Sequence, residues 1–176
     1  MDKRGQQNWK AKYFEGICPD SHDWARLAAY IDGEGSILIN TQKSRYGTGF
    51  YLRVTVANTD IRLMVWLKEN FGGSYCGANT DKYYEGKNWK RSYHWGTSSH
   101  RAAWILFNCL PYFVIKGEQA EIGIQLQESM RLFVRGGRSK ILPEGIRKQR
   151  SELKSRLLVL KSRGVKSRPV AVEQIA

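Results

Sequence analysis

Two stretches of the chain alternate between apolar and polar positions. From Ser36 to Lys43, Ile37 and Ile39 share one side, and Leu38, Asn40 and Gln42 share the other. From Tyr51 to Val56, Leu52, Val54 and Val56 oppose Tyr51, Arg53 and Thr55. A period of two predicts half-buried strands, and the basic, glycine-containing link from Lys43 to Gly49 predicts a hairpin. Helical spacing takes over elsewhere. One helix runs into Leu27 after the turn Cys18-Pro19-Asp20-Ser21, with Ser21 or Asp23 as its cap. A second spans Ile61 to Phe71, opened by Asn58-Thr59-Asp60 and stopped by Gly72-Gly73. A third is expected from Ser98 or Ser99 to Leu110, broken by Pro111, and a fourth from about Tyr112 to Val134. A basic helix follows from Pro143 to Arg163, with Leu153, Leu157, Leu158 and Leu160 along one side. A second hairpin is expected over Ser74 to Tyr84 and Lys90 to Thr97, with Tyr93 and Trp95 inward and Lys90, Ser92 and His94 outward.

Helix–strand–strand–helix–strand–strand–helix is the order of an α+β unit, one sheet with its helices packed on one face. The expected division is a basic extension over residues 1–20, a core over 21–135, a basic helical region over 136–164 and a disordered tail over 165–176.

Charge narrows the partners. The 176 residues carry a formal net charge of +13, which calls for a polyanion. Six Trp, nine Tyr and six Phe argue against disorder. No membrane span or secretion signal is read, so the expectation is no membrane partner and no secretion. Cys18, Cys76 and Cys109 are odd in number and far apart, which excludes a CxxC zinc site and suggests free thiols in a reducing compartment. His22, His94 and His100 form no ligand-spaced cluster. Chemistry must therefore come from carboxylates, lysine and arginine.

The stretch Leu27 to Ser36, LAAYIDGEGS, joins the first helix to the first strand, and Gly33 and Gly35 are expected to allow its turn. Ala25, Ala29 and Gly33 recur every fourth residue, leaving a bare face against which another backbone can pack. Asp32 and Glu34 stand at a helix C-terminus, where the macrodipole disfavours negative charge. A cation held there removes that penalty, which hints at metal.

LAAYIDGEG resembles the signature of the LAGLIDADG homing endonucleases, single-motif homodimeric type. The resemblance implies an αββαββα unit with a saddle-shaped antiparallel sheet. It also implies a metal-dependent, site-specific DNA endonuclease that cuts both strands of a long pseudo-palindromic site as a homodimer, paired through Ala25, Ala29 and Gly33. Glu34 and the Gly33 carbonyl would bind Mg²⁺ or another divalent cation such as Mn²⁺. Outside the motif, the family's water-positioning amide, basic helix residue and lysine fall on Asn58, Arg62 and Lys116, the last in Lys116-Gly117-Glu118-Gln119-Ala120. The family often has Asp at position 34 and glutamine at position 58. Asp32 is read as structural.

A twisted two-stranded ribbon fits the major groove of double-stranded DNA. Asn40, Gln42, Ser44, Tyr46, Tyr51, Arg53 and Thr55 are the expected base-reading set, with Gln42 or Asn40 suited to adenine and Arg53 to guanine. Asn79, Lys82, Lys90, Ser92 and His94 would extend it. Lys43, Arg45 and the region from Arg147 to Arg163 supply phosphate contacts. Two alternatives stay open: an intron maturase of the same fold acting on intron RNA, and a DNA-binding protein without catalysis. The expected location is the cytoplasmic nucleoid, or an organelle (chloroplast or mitochondrion) that encodes the chain.

Overall fold

The structure, a computed structural model, describes residues 19–44, 47–77, 81–132 and 142–162. Arg45, Tyr46 and Asn79 lie outside the described residues, as do Val134, the glycine pair at 136–137 and the tail.

Helix α1 spans Ser21–Glu34. Its cap is Asp20, one residue before the expected Ser21. The Asp20 carboxylate accepts from Asp23 N–H at 2.8 Å, and the Asp23 carboxylate accepts in return from Asp20 N–H at 3.3 Å. That reciprocal pair needs a spacing of three, which Asp20 and Asp23 provide. Leu27, Ala28 and Ile31 are fully buried. Strand β1, Gly35–Ser44, leaves the helix directly, and β2, Gly47–Asn58, returns beside it. The register pairs Ile37 with Val54 and Ile39 with Leu52 on the buried face, and Leu38 with Arg53 and Asn40 with Tyr51 on the other. The alternation expected for this hairpin is therefore present.

Helix α2 spans Ile61–Phe71 and is capped by Asp60. Gly72 and Gly73 both have positive φ, 69° and 81°, and turn the chain into β3, Ser74–Gly77. The second hairpin departs from expectation. Its strands are short, and the link carries a one-turn helix α3, Asp81–Tyr84, before β4 begins at Tyr93 and ends at Ser98. Tyr84 Oη accepts from Ser92 N–H at 3.1 Å and closes that link. Lys90 and Ser92 thus precede the ladder. Trp95 is fully buried and His94 exposed, as expected, while Tyr93 is only half-buried.

The antiparallel sheet has the order β1-β2-β4-β3. Helix α4, Ser99–Cys109, passes at Pro111 into a 3-10 turn, Leu110–Tyr112. Proline lacks an N–H but fits the first positions of a new turn, so the chain bends there without unwinding. Helix α5 spans Gly117–Leu132, starting later than expected because residues 114–116 give their N–H groups elsewhere. It lies close on β2: a Cβ at Gly123 would stand 2.8 Å from Leu52 Cδ1 and 3.0 Å from Leu106 Cδ1.

Helix α6, Glu144–Lys161, buries Leu153 and Leu157 in the same core as the sheet and packs on α5 and β1. Leu158 is not on that side; it is 57% exposed, because each helical step turns about 100° and carries it off the Leu153–Leu157–Leu160 line. Arg150 is buried, its guanidinium donating to Ser129 O at 2.9 Å and Ser129 Oγ at 3.1 Å. No described helix is long and apolar enough to cross a membrane.

Candidate active site

Glu34 ends α1 with its side chain exposed. Its Oε2 accepts from Asn58 Nδ2 at 2.8 Å, and Asn58 Oδ1 accepts from Asp60 N–H at 2.9 Å. Asn58, the last residue of β2, therefore ties the end of α1 to the start of α2. Asp60 grips Arg62 through Nε at 3.0 and 3.1 Å and accepts its backbone N–H at 2.9 Å. The Arg62 guanidinium holds the Asp60 carboxyl down at about 2 and is itself pushed up by the same contact. The Arg62 side chain remains 89% exposed. An open cleft of about 480 Å³ between α1 and α2 is lined by Arg26, Tyr30, Asn58, Asp60, Arg62 and Trp66.

Asp32 has a different role from Glu34. Its carboxylate accepts from Val114 N–H at 2.8 Å, Ile115 N–H at 3.3 Å and Lys116 N–H at 2.9 Å. An acid unfavourable at the end of α1 is thereby placed at the start of α5, where the dipole favours it. The cation at the end of α1 is Lys116. Its ammonium donates to Ile31 O at 2.6 Å, Asp32 O at 2.8 Å and Gly35 O at 2.9 Å. An ammonium has three donors, and three carbonyls take them. Burial pulls its pKa down, with the Asp32 charge opposing.

Sequence reading gave Lys161, with the rest of the region from Arg147 to Arg163, to phosphate contacts, but the structure turns it inward. Its Nζ donates to Ser36 Oγ at 2.7 Å and Ile37 O at 3.0 Å. Burial and the nearby Lys116 charge both pull its pKa down. Two lysines thus hold the backbone on which the motif turns from helix to strand.

The motif glycines do unlike things. Gly33 lies within the helix, and a Cβ there would meet nothing within 4 Å. With Ala29 exposed and Ala25 half-buried, the bare stripe is open. Gly35 has an ordinary φ of −88°, yet a Cβ there would fall 2.5 Å from Ile31 Cα. It is glycine for want of space and not for a special backbone angle.

On the outer face of the sheet, paired residues form lanes: Asn40 with Tyr51, Leu38 with Arg53 and Ser98, Ser36 with Thr55, Gly96 and Ser74, and Ala57 with His94 and Cys76. Arg53 lies across Gly96, its Nε 3.6 Å from where a Cβ would be. Gln42 is exposed beyond Asn40, and Ser44 closes β1. Lys82 sits in α3, and Lys90 and Ser92 in the link, outside the ladder.

Among the described residues no group of three His, Cys, Asp or Glu could by itself hold a metal. Glu34 is a single hard oxygen donor with a neighbouring backbone carbonyl at Gly33. That set fits a cation such as Mg²⁺, which takes one or two carboxylates and completes its shell with water and substrate phosphate.

A four-stranded antiparallel sheet with one covered face and one polar open face, and an acid-bearing helix ending at its margin, is the fold of solved LAGLIDADG homing endonucleases. The archaeal intron-encoded homing endonuclease I-Vdi141I, complexed with DNA, matches with a TM-score of 0.64 at 12% identity, over 85% of this chain and 91% of that one. The homing endonuclease I-CvuI, in complex with its target in the presence of 2 mM Ca, matches with a TM-score of 0.61 at 17% identity, over 84% and 87%. The LAGLIDADG homing endonuclease I-GzeII, in complex with its DNA target, matches with a TM-score of 0.54 at 17% identity, over 79% of this chain but 44% of that one. Comparison with protein-family models and with curated protein sequences gives no match.

Proposed function

We propose that the chain is a site-specific double-strand DNA endonuclease. In this reading it hydrolyses phosphodiesters with Mg²⁺ or Mn²⁺ and works as a homodimer on a long pseudo-palindromic site. The observation that carries the reading is Glu34, an exposed carboxylate oriented by Asn58 where α1 meets the open sheet face. Glu34 and the Gly33 carbonyl would hold the cation, which supplies Lewis-acid activation of the phosphate and a more acidic bound water. Asn58 fixes the carboxylate. Arg62, exposed on the same side, would neutralise phosphate charge. Lys116 would act by holding the end of α1 in place.

The open stripe Ala25, Ala29 and Gly33 supports pairing through α1, which sets two Glu34 carboxylates side by side, each addressing one strand. That this chain covers 44% of I-GzeII is consistent with two such units completing a site. Asn40, Gln42, Tyr51, Arg53, Thr55 and His94 face the groove, and Lys43 with the exposed α6 cations Arg147, Lys148 and Arg156 contacts phosphate. A nuclease of this kind would work in the cytoplasmic nucleoid, or in a chloroplast or mitochondrion that encodes it.

The test is selection of cleaved sites from a plasmid library with Mg²⁺ against EDTA. Discrete metal-dependent double-strand cuts are expected. Tight, sequence-specific binding without cutting in any divalent metal would leave a non-catalytic DNA-binding protein instead.

A further inference from the structure

The link between β3 and β4 carries an aromatic cluster that the endonuclease reading does not use. Trp89 is 60% exposed and Tyr83 is 44% exposed. Their ring centroids stand 6.1 Å apart at an interplanar angle of 53°, and Tyr84 packs edge-on against Tyr83 at 5.3 Å. The Lys87 ammonium sits between the two exposed rings, 4.1 Å from the Tyr83 centroid and 4.8 Å from that of Trp89. Such a tilted pair, with a cation in its mouth, is a shaped site built from side chains that folding alone would bury.

The surroundings specify the occupant. Between residues 81 and 92, Lys82, Lys87, Lys90 and Arg91 outnumber Asp81 and Glu85. The link ends at Tyr93, which pairs with Asn58 on one side and Gly77 on the other. Lys90 is near enough to Asp60 to help hold that carboxyl down. The end of this link therefore lies beside Asn58, at the margin of the same sheet. Exposed rings interleaved with cations are the arrangement that binds single-stranded nucleic acid, because every base has a π-face and each phosphate a charge. A duplex keeps its base faces stacked and offers the rings little.

We propose that Tyr83, Lys87 and Trp89 form a stacking site for an unpaired nucleobase, with Lys87 moving from the ring faces to the adjoining phosphate when the base enters. The site goes beyond cleavage, for it needs neither Glu34 nor a metal. The ligand chemistry is an unstacked base on a phosphate chain, which either a DNA strand or an RNA strand can present.

The test uses the full chain in EDTA with three probes, each titrated over the same series of salt concentrations: a (dT)20 strand, an (rU)20 strand and a 20-bp random-sequence duplex. Trp89→Leu is expected to weaken single-strand binding about 5- to 150-fold while leaving duplex binding unchanged. Trp89→Phe should retain most of the affinity, and Lys87→Met should lower the salt dependence by about one released counterion. Loss on both strands, or on one of them, supports the site, and the strand bound more tightly identifies the source. Unchanged single-strand binding, or equal loss on strand and duplex, overturns it. Were Trp89→Leu to misfold, quenching of tryptophan emission by (dT)20 or (rU)20 decides: present in the wild type and absent in Trp89→Phe supports the site, and identical in both overturns it. The stacking test is read in EDTA as binding alone, whereas the endonuclease reading is tested by Mg²⁺-dependent cutting, so failure of the one and failure of the other are separable.

Discussion

Asp32 and Lys116 cap each other's helices. The Asp32 carboxylate, from the end of α1, receives three N–H groups at the start of α5, and the Lys116 ammonium, from the start of α5, donates to three carbonyls at the end of α1. Each charge sits at the helix end that its sign favours. The exchange leaves Glu34 as the acid of this turn that faces outward. Lys116→Met is expected to destabilise the fold by about 1–3 kcal/mol, since buried carbonyls lose their donor. Urea denaturation measures this. Lost cleavage with an unchanged midpoint would mean that Lys116 acts on the substrate directly.

Glu34→Gln should abolish cleavage and leave DNA binding largely intact, read by gel shift and cleavage on the same site. Asn58→Ala should retain some activity but demand about 10–100-fold more metal, because the partner that orients the carboxylate is gone. A Glu34→Gln variant that cuts at the wild-type rate would refute the metal-site assignment.

The Asp60–Arg62 contact has a pH signature. The Arg62 guanidinium holds the folded carboxyl at about 2, well below the ordinary carboxylate range. A depressed acid contributes stability that is present above the unfolded value and is lost as pH falls through the folded one. Arg62→Ala should raise the Asp60 titration, followed by carboxyl NMR, part of the way to the ordinary range, since the residue-62 N–H and Lys90 still lower it, and Asp60→Asn should remove that part of the acid sensitivity between about pH 4 and 2.

Arg53→Ala is expected to relax preference at one symmetric pair of base positions, by about 1–3 kcal/mol. Because Arg53 lies over Gly96, Gly96→Val should disturb the same positions by lifting the guanidinium. Uniform weakening across a library of sites would assign Arg53 to phosphate.

Gly33→Leu should disrupt pairing without disturbing the protomer, since a Cβ there meets nothing within 4 Å and points into open space. Sedimentation with and without DNA measures the outcome, and a dimer unchanged by the leucine would contradict the α1 seam.

Sequence periodicity was enough to specify β1, β2 and α2, because a pleated strand and a helix each place one face inward at a fixed local period. Ile37, Ile39, Leu52, Val54 and Val56 are buried, and the outward faces of Asn40, Tyr51 and Arg53 follow from that alone. The motif likewise announced its bare stripe. What tertiary structure decided is who meets whom across distance. Asp32 finds its donors more than 80 residues away, and Lys161 reaches Ser36 across 125. Neither contact leaves a local pattern, because a hydrogen bond between remote segments depends on how helices dock and not on residue spacing. Tyr83, by contrast, lies in a stretch expected to be a strand, and the one-turn helix α3 is what sets its ring beside Lys87 and Trp89.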